Sequence, residues 1–455
     1  MELPMFSWVG LLIVVCVGIL SLIYTFRSKS SHQLPPGPYG LPFIGHLHML
    51  GDNPHHNLHK LSQKHGPIMQ LRLGNVPTVV VSSPESAELF LKTHDTNFAS
   101  RPKALGGDGK GMGAAQYGPY WRNLRRLCSI HLLSMSKVDS FKLVRKDKVS
   151  DLVRDIYKAA AESPVVNMSN QVGLVIEKIT YGMIFGIEYN KGGYNIKDYI
   201  RDAEVIVGAF NIADYIPFLR PFDLQGLTKR ANDVIKNLDE TIEKIIDEHE
   251  HDTIGKQKNH KDFIDVMLSL MKTENDNEEK LDRSTVKALT LDMLAGAMDT
   301  SIGAIEWVLS ELVRHPQVMQ KVQEELSFAQ EYTVVFCHGH TTFYCRMGLV
   351  RVASNGNVSS RVGKWDWTPS SSRRGRLSKV GLLLDMVVME TIRLHPVVGI
   401  YMRESMDDIS IDNFYIPKKK AWIAINHWAI SRDPVAWADK TEIFYPEHQY
   451  RCWQT

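Results

Sequence analysis

Between Ser284 and Arg314 the sequence holds a helical pattern with no proline, until His315-Pro316 ends it. At ~1.5 Å per residue such a helix reaches ~45 Å, the width of a large domain. Leu281-Asp282-Arg283-Ser284 marks its start. A helix that long must be buried on several sides, so the chain has to build a deep, mostly helical body around it. The 455 residues, 44% hydrophobic and 23% charged, suffice for that and exclude a disordered or collagen-like chain. At the centre of this segment stand Ala295-Gly296-Ala297-Met298-Asp299-Thr300-Ser301. A glycine inside a helix costs ~1 kcal/mol against alanine, so Gly296 needs a reason. Either a neighbouring helix packs closely there, with Asp299 and Thr300 bonding the backbone, or a flat ligand lies against the small residues and the acid and hydroxyl handle protons.

The rest of the body follows the same pattern. Amphipathic helical segments fall near 84–94, 118–133, 137–162, 170–186, 229–250 and 261–273. One β region interrupts them. Met69, Leu71 and Leu73 alternate with Gln70 and Arg72, Gly74-Asn75 turns the chain, and β-branched residues continue to Val81. The expected class is mainly α with a minor β region. A formal charge of +2 gives no field to hold a polyanion, which argues against nucleic acid as a partner. Five scattered cysteines make no disulfide framework and fit a reducing compartment.

From Met5 to Phe26 no charged residue occurs, a stretch long enough as a helix to cross a ~30 Å hydrocarbon core. Only Glu2 precedes it, whereas a cleaved signal peptide carries basic residues first. Arg27 and Lys29 follow at once, and the positive-inside rule then places the body on the cytosolic face. The expected organisation is an N-terminal membrane anchor over 1–33, a proline-rich hinge over 34–40 containing Pro35-Pro36-Gly37-Pro38, and one body over 41–455. Residues 327–382 break the pattern: eight Lys/Arg against two acids, many Ser and Gly, no sustained period. They read as a loosely ordered insertion rather than a phosphate-binding patch. Cys337, His338, His340 and Cys345 within it fit no closed metal-ligand spacing, so no metal site is expected.

Two further motifs carry chemistry. Glu390 and Arg393 are three apart on a predicted helix and surrounded by Leu382 to Leu384, Met386 to Met389, Ile392 and Leu394, so the pair is expected to be buried. Trp121 and Arg125, at i and i+4 in Tyr117-Gly118-Pro119-Tyr120-Trp121-Arg122-Asn123-Leu124-Arg125-Arg126, present an indole donor and a guanidinium on one face, able to clamp a carboxylate.

Taken in order with the N-terminal anchor, the hinge and Phe98-Ala99-Ser100-Arg101-Pro102, these motifs resemble the cytochrome P-450 haem-thiolate monooxygenases, especially the plant microsomal type, over residues 1 to about 326 and 383 to 447. The resemblance implies haem b as cofactor, an NADPH-dependent flavoprotein reductase as electron donor, and an endoplasmic reticulum membrane as location, with membrane lipid around the anchor. The substrate would be small and apolar, of the kind met in plant secondary metabolism. Trp121, Arg125 and Arg403 would hold haem propionates. Asp299 and Thr300 would be the acid–alcohol pair that delivers protons to iron-bound dioxygen, with Gly296 and Ala297 leaving room beside the haem. Glu390 and Arg393 would lock the proximal core. Substrate contacts would come from Gly106 to Ala115, Val205 to Phe222 and Val397, Val398 and Ile400.

The C-terminal third departs from the family pattern. Tyr445-Pro446-Glu447 begins the expected motif, but His448 stands where an arginine should complete the Glu390–Arg393 network. The ligand loop Phe-x-x-Gly-x-Arg-x-Cys-x-Gly does not follow before Thr455, and Cys452 lacks its glycines. The expectation is a fold incomplete at the C-terminus, without the proximal haem-binding loop. Two functional readings stay open: a membrane-bound monooxygenase, and a non-catalytic membrane-tethered product or interaction partner.

Overall fold

A computed structural model describes residues 10, 13–18, 33–102, 109–186, 196–252, 261–272, 281–331, 382–418, 421–437 and 441–449. Most of the expected anchor therefore lies outside the described residues, as do 332–381 of the atypical segment, together with Cys337, Cys345 and Cys452. Among the described residues no helix is long and apolar enough to cross a membrane.

The main helices are α1 (Pro54–His65), α2 (Pro119–Leu127), α3 (Lys142–Glu162), α4 (Met168–Ile184), α5 (Ile196–Gly208), α6 (Leu227–Asp252), α7 (Phe263–Lys272), α8 (Arg283–Arg314), α9 (Pro316–Glu331) and α10 (Leu382–Leu394). The strands are β1 (Ile68–Leu73), β2 (Val76–Val81), β3 (Tyr401–Glu404), β4 (Ile409–Ile411), β5 (Phe414–Ile416) and β6 (Trp422–Ile425). The predicted hairpin is present: β1 and β2 pair antiparallel with Leu73 opposite Val76 around Gly74-Asn75. Gly74 has φ +58°, and a Cβ there would stand 2.4 Å from the Tyr215 carbonyl, so both backbone and space require glycine. The four-stranded order is β1-β2-β6-β3, in which β2 and β6 are parallel and Val79 faces Ile423. That pairing joins the two ends of the body across nearly all of its helices, a crossover no local pattern announces.

The long helix is α8, one residue longer at its start than the sequence suggests. Asp282 caps it by accepting from the Thr285 amide at 2.7 Å. Its first half buries Val286, Leu289 and Leu294 in the largest apolar cluster, with Ile242, Ile245 and Ile246 of α6 and Ile264 and Met267 of α7. Each such aliphatic side chain contributes ~1.5–3 kcal/mol of transfer free energy. Its second half packs Val308 and Leu312 against Leu384, Val387 and Val388 of α10. The middle of α8 is left between these two clusters, and the site lies there.

Candidate haem site on the central helix

Gly296 decides between the two readings of the α8 centre. A Cβ built on it meets nothing within 4 Å, so no neighbouring helix packs there. The small residue leaves an open face instead. Thr300 donates its hydroxyl to the Gly296 carbonyl at 2.7 Å, one turn back, so this part of the backbone-bonding expectation holds as well. Asp299 does not bond the backbone in this way. It acts instead on the Glu204 carboxyl of α5. Burial, followed by the Asp299 bond and charge, pushes Glu204 up to about 8. Two turns earlier, Asp292 accepts from the Gly113 amide at 3.2 Å. A Cβ on Gly111 would come within 2.6 Å of that carboxylate, so the 111–113 loop lies flat against α8. Burial raises the pKa of Asp292, while its bonds to the loop amides of Gly113 and Met112 pull it down again.

Trp121 and Arg125 are together as expected, with the guanidinium 5.4 Å from the indole centroid. The indole N–H, however, donates to the Met112 carbonyl at 3.0 Å. Trp121 thus fixes the same loop that Asp292 holds, and Arg125 is the exposed cation of the pair. Arg403 on β3 donates to the Ala99 carbonyl at 3.3 Å, and the Glu404 amide donates to the Ser100 carbonyl at 2.9 Å. These bonds bring Arg101 beside Arg403. Burial and then the Arg403 charge depress the Arg101 pKa, as two neighbouring guanidinium groups must. Sequence reasoning placed Arg101 in a motif and gave it no role. Asp292 was missed as well, although its place seven residues before Asp299 puts both acids on one helical face.

On the opposite side, the Glu390–Arg393 pair is buried as predicted. Arg393 donates to both carboxylate oxygens at 2.9 Å and to the carbonyls of Ser431, Thr441 and Ile443. Glu390 also accepts from the Tyr445 amide, His448 Nδ1 and Gln449 Nε2, each at 3.0 Å. The expected gap at His448 is therefore filled. The imidazole is short enough to reach Glu390, and Gln449 takes a further acceptor site. Burial pushes the Glu390 carboxyl up, but the Arg393 bond and charge, with the Tyr445 and Gln449 donors, hold it below the usual range. Of the expected substrate contacts, Val397 and Val398 are exposed, whereas Ile400 packs against the cluster of Leu58, Met69 and Leu71.

The described cysteines are Cys16 and Cys128. Cys128 lies in the main apolar cluster, where burial pushes its thiol up to about 11, far from a thiolate. Among the described residues one group, His249, Asp262 and Asp265, has ligand atoms near enough to share a metal. Its His249 Nδ1 is 2.7 Å from the Ile245 carbonyl, and Nε2 is 3.2 Å from both the Phe185 carbonyl and Asp262. Both nitrogens face acceptors, the arrangement of a protonated imidazole paired with a carboxylate.

Known proteins resemble this chain along most of its length. The family model for cytochrome P450 matches residues 35–331 and 380–450. Cytochrome P450 CYP736A12 of Panax ginseng is 40% identical over 92% of this chain and 78% of its own length. The 4-hydroxyphenylacetaldehyde oxime monooxygenase of Sorghum bicolor is 35% identical over 97% of this chain and 80% of its own, and the 3,9-dihydroxypterocarpan 6A-monooxygenase of Glycine max 32% over 97% and 82%. The chain belongs to the cytochrome P450 family. Haem b is the cofactor of this family, which works with an electron-donating redox partner on apolar substrates. The open space at Gly296 suits a flat macrocycle, and the crowded guanidinium groups of Arg101 and Arg403 suit its carboxylates. Neither described cysteine is suited to give a thiolate to its iron.

Proposed function

We propose that this protein is a membrane-bound, haem-dependent monooxygenase that hydroxylates small apolar substrates with electrons from an NADPH-fed flavoprotein reductase. The observation that carries the reading is the open face at Gly296 beside Asp299 and Thr300. Haem, when bound, supplies dioxygen activation. The residues of the chain do the rest. Arg101, Arg125 and Arg403 hold carboxylates at the rim. Gly296 and Ala297 keep the face shallow. Thr300 Oγ1 and the Asp299 carboxyl keep exchangeable protons beside it. Asp292 and Trp121 hold the 111–113 loop over α8, restricting water and leaving an apolar approach past Met112.

Placement on the endoplasmic reticulum membrane, with one N-terminal anchor and the body facing the cytosol, rests on the uncharged run and its basic flank. A surface feature supports it. Leu41, Phe43 and Ile44, just after the hinge, are exposed, and so are Phe210, Phe218 and Phe222. The Gly74-Asn75 turn bonds the carbonyls of both Ile44 and Tyr215, so the two stretches share one surface. A contiguous apolar patch of this kind marks a lipid- or partner-facing side.

A second reading, a non-catalytic membrane-tethered protein, is favoured by the two cysteines among the described residues: Cys16 sits in the expected anchor and Cys128 is a buried thiol. One experiment separates the two. The full chain is made in microsomal membranes, and total haem and the reduced carbon monoxide difference spectrum are recorded on the same sample. A strongly red-shifted Soret band establishes a thiolate-ligated haem and supports the monooxygenase. Haem that is absent, or that gives an imidazole-like spectrum, establishes the non-catalytic reading.

A further inference from the structure

We infer that His395 is the positioning residue for Val397 and Val398: its ring, clasped by Trp307 and Glu311, fixes the turn by which the chain leaves α10 and so sets the two valines at the edge of the open face of α8. The part the valines play toward a substrate rests on the monooxygenase reading; the clasp does not.

The open face extends beyond the centre of α8. Gly296, Thr300, Gly303 and Trp307 recur at helical spacing along one side of it, over ~16 Å. A Cβ on Gly303, like one on Gly296, meets nothing within 4 Å, and Trp307 at the end of the row is 43% exposed. His395 is laid flat on that indole, the two planes 3° from parallel and the centroids 3.7 Å apart. Its Nε2 is 2.9 Å from Glu311 Oε1, and because a carboxylate only accepts, Nε2 carries the hydrogen and donates it. Glu311 stands one turn beyond Trp307 and is buried, with His315 Nδ1 3.3 Å from its other oxygen. The stack fixes the plane of the imidazole and the hydrogen bond fixes its direction within that plane, so the side chain is held to one rotamer.

The backbone passes this constraint on. Pro396 disfavours the helical conformation for the residue before it, so α10 ends at Leu394 and the direction of the departing chain is set at His395. Val397 is two residues on, within ~7 Å of the His395 Cα. The far end of the segment is fixed as well. The Trp428 amide donates to the Gly399 carbonyl at 3.2 Å, His427 Nδ1 is 3.3 Å from the Val398 carbonyl, and Ile400 packs with Leu58 and Met69. A Cβ on Gly399 would stand 3.3 Å from the His55 ring, so the chain runs close against α1 there. Between these two fixed ends Val397 and Val398 remain 44% and 41% exposed, beside the row that ends in Trp307. Branched at Cβ and stiff at χ1, they offer a ligand on the face a wall of constant shape, and His395 decides where that wall stands.

The test is residue-resolved amide hydrogen exchange on the full chain in detergent micelles, comparing wild type with His395→Ala, His395→Phe and His395→Gln. The Trp428 amide reports on the segment because it is bonded to Gly399, and the Ile430 amide, bonded to the Asn426 carbonyl at 3.1 Å, is the control on the same turn. The expected result in His395→Ala is exchange ~10-fold faster at Trp428, the worth of about one hydrogen bond, with Ile430 unchanged. His395→Phe keeps the stack without the bond and His395→Gln a donor without the stack, so both are expected between wild type and alanine, and they carry the test if the alanine variant does not fold. Unchanged exchange at Trp428 in every variant, or equal acceleration at Trp428 and Ile430, overturns the inference. On the haem-loaded chain, Soret titrations with phenylimidazole and with clotrimazole, a narrow and a wide ligand, read the wall itself. The ratio of their dissociation constants is expected to shift ~10-fold in His395→Ala, as for one methylene gained or lost in an apolar pocket. An equal loss for both ligands reduces the clasp to a structural role and overturns the inference. A chain that takes up no haem but shows the local exchange change keeps the clasp and removes the monooxygenase, whereas a thiolate-ligated haem with unchanged exchange removes only the inference.

Discussion

Glu390 and Glu204 are both glutamates on helices that pack against α8, and burial pushes both carboxyls toward protonation. Their surroundings then take them in opposite directions. Glu390 meets a guanidinium, a backbone amide, an imidazole and a side-chain amide, and remains a carboxylate. Glu204 meets the Asp299 carboxyl and is pushed up to about 8. Burial by itself therefore says little about the charge of an acid; the donors it meets decide. The α10 side of α8 is built to fix a charge, and the α5 side to disfavour one.

The comparison breaks most visibly at Glu390. Glu390→Ala leaves the buried Arg393 guanidinium without its counter-charge, bonded only to the carbonyls of Ser431, Thr441 and Ile443, and is expected to cost ~3–5 kcal/mol in urea unfolding. A loss below ~1 kcal/mol would place the pair with ordinary surface ion pairs. His448→Ala removes one donor to a charged acceptor and is expected to cost ~1.5–3 kcal/mol, which calorimetry or denaturant midpoints resolve. No loss would mean that Gln449 and Tyr445 satisfy Glu390 without the imidazole.

Gly296→Ala is expected to act in the other direction, raising stability by ~1 kcal/mol because the added methyl group meets open space and helix propensity improves. Haem content or the carbon monoxide spectrum should deteriorate in the same variant. A variant that is more stable with unaltered haem binding would sink the assignment of that face to the cofactor.

The smallest effect is on pH dependence. The Glu390 value is depressed, so its stabilisation is present above the unfolded-state value and is lost as pH falls through the folded one. The Glu204 value is raised, so its contribution is present below the unfolded-state value of ~4.3 and is lost as pH rises through about 8. Glu204→Gln should therefore flatten the melting-temperature profile between the unfolded-state value of ~4.3 and about 8 and leave it unchanged at higher pH. A profile that keeps its slope across that window would contradict the raised value of Glu204.

What could be read without coordinates follows a pattern. The hairpin at Gly74-Asn75, the length of α8 with its Asp282 cap, and the burial of Glu390 and Arg393 all depend on residues within a few positions of each other. The contacts that sequence reasoning did not find join residues far apart: Arg101 with Arg403, Asp292 with Gly113, Glu204 with Asp299. Helical period marks Glu204 as facing inward, yet it names no partner. At His448 the expectation went the other way. The arginine is replaced, but the network closes, because the distance between two side-chain atoms, and not the residue type, decides whether a hydrogen bond forms.

The sequence by itself determined the helical class, the central helix with its small-residue centre, the acid–alcohol pair and the buried Glu–Arg node, since local period and i, i+3 spacing are properties of the chain alone. Only the tertiary structure decided that Gly296 faces open space instead of another helix, that Trp121 holds a loop while Arg101 lies beside Arg403, and that Asp299 acts on Glu204. Each of these depends on which distant backbone approaches within hydrogen-bond or van der Waals range, and such forces act over a few ångströms of space whatever the separation along the chain.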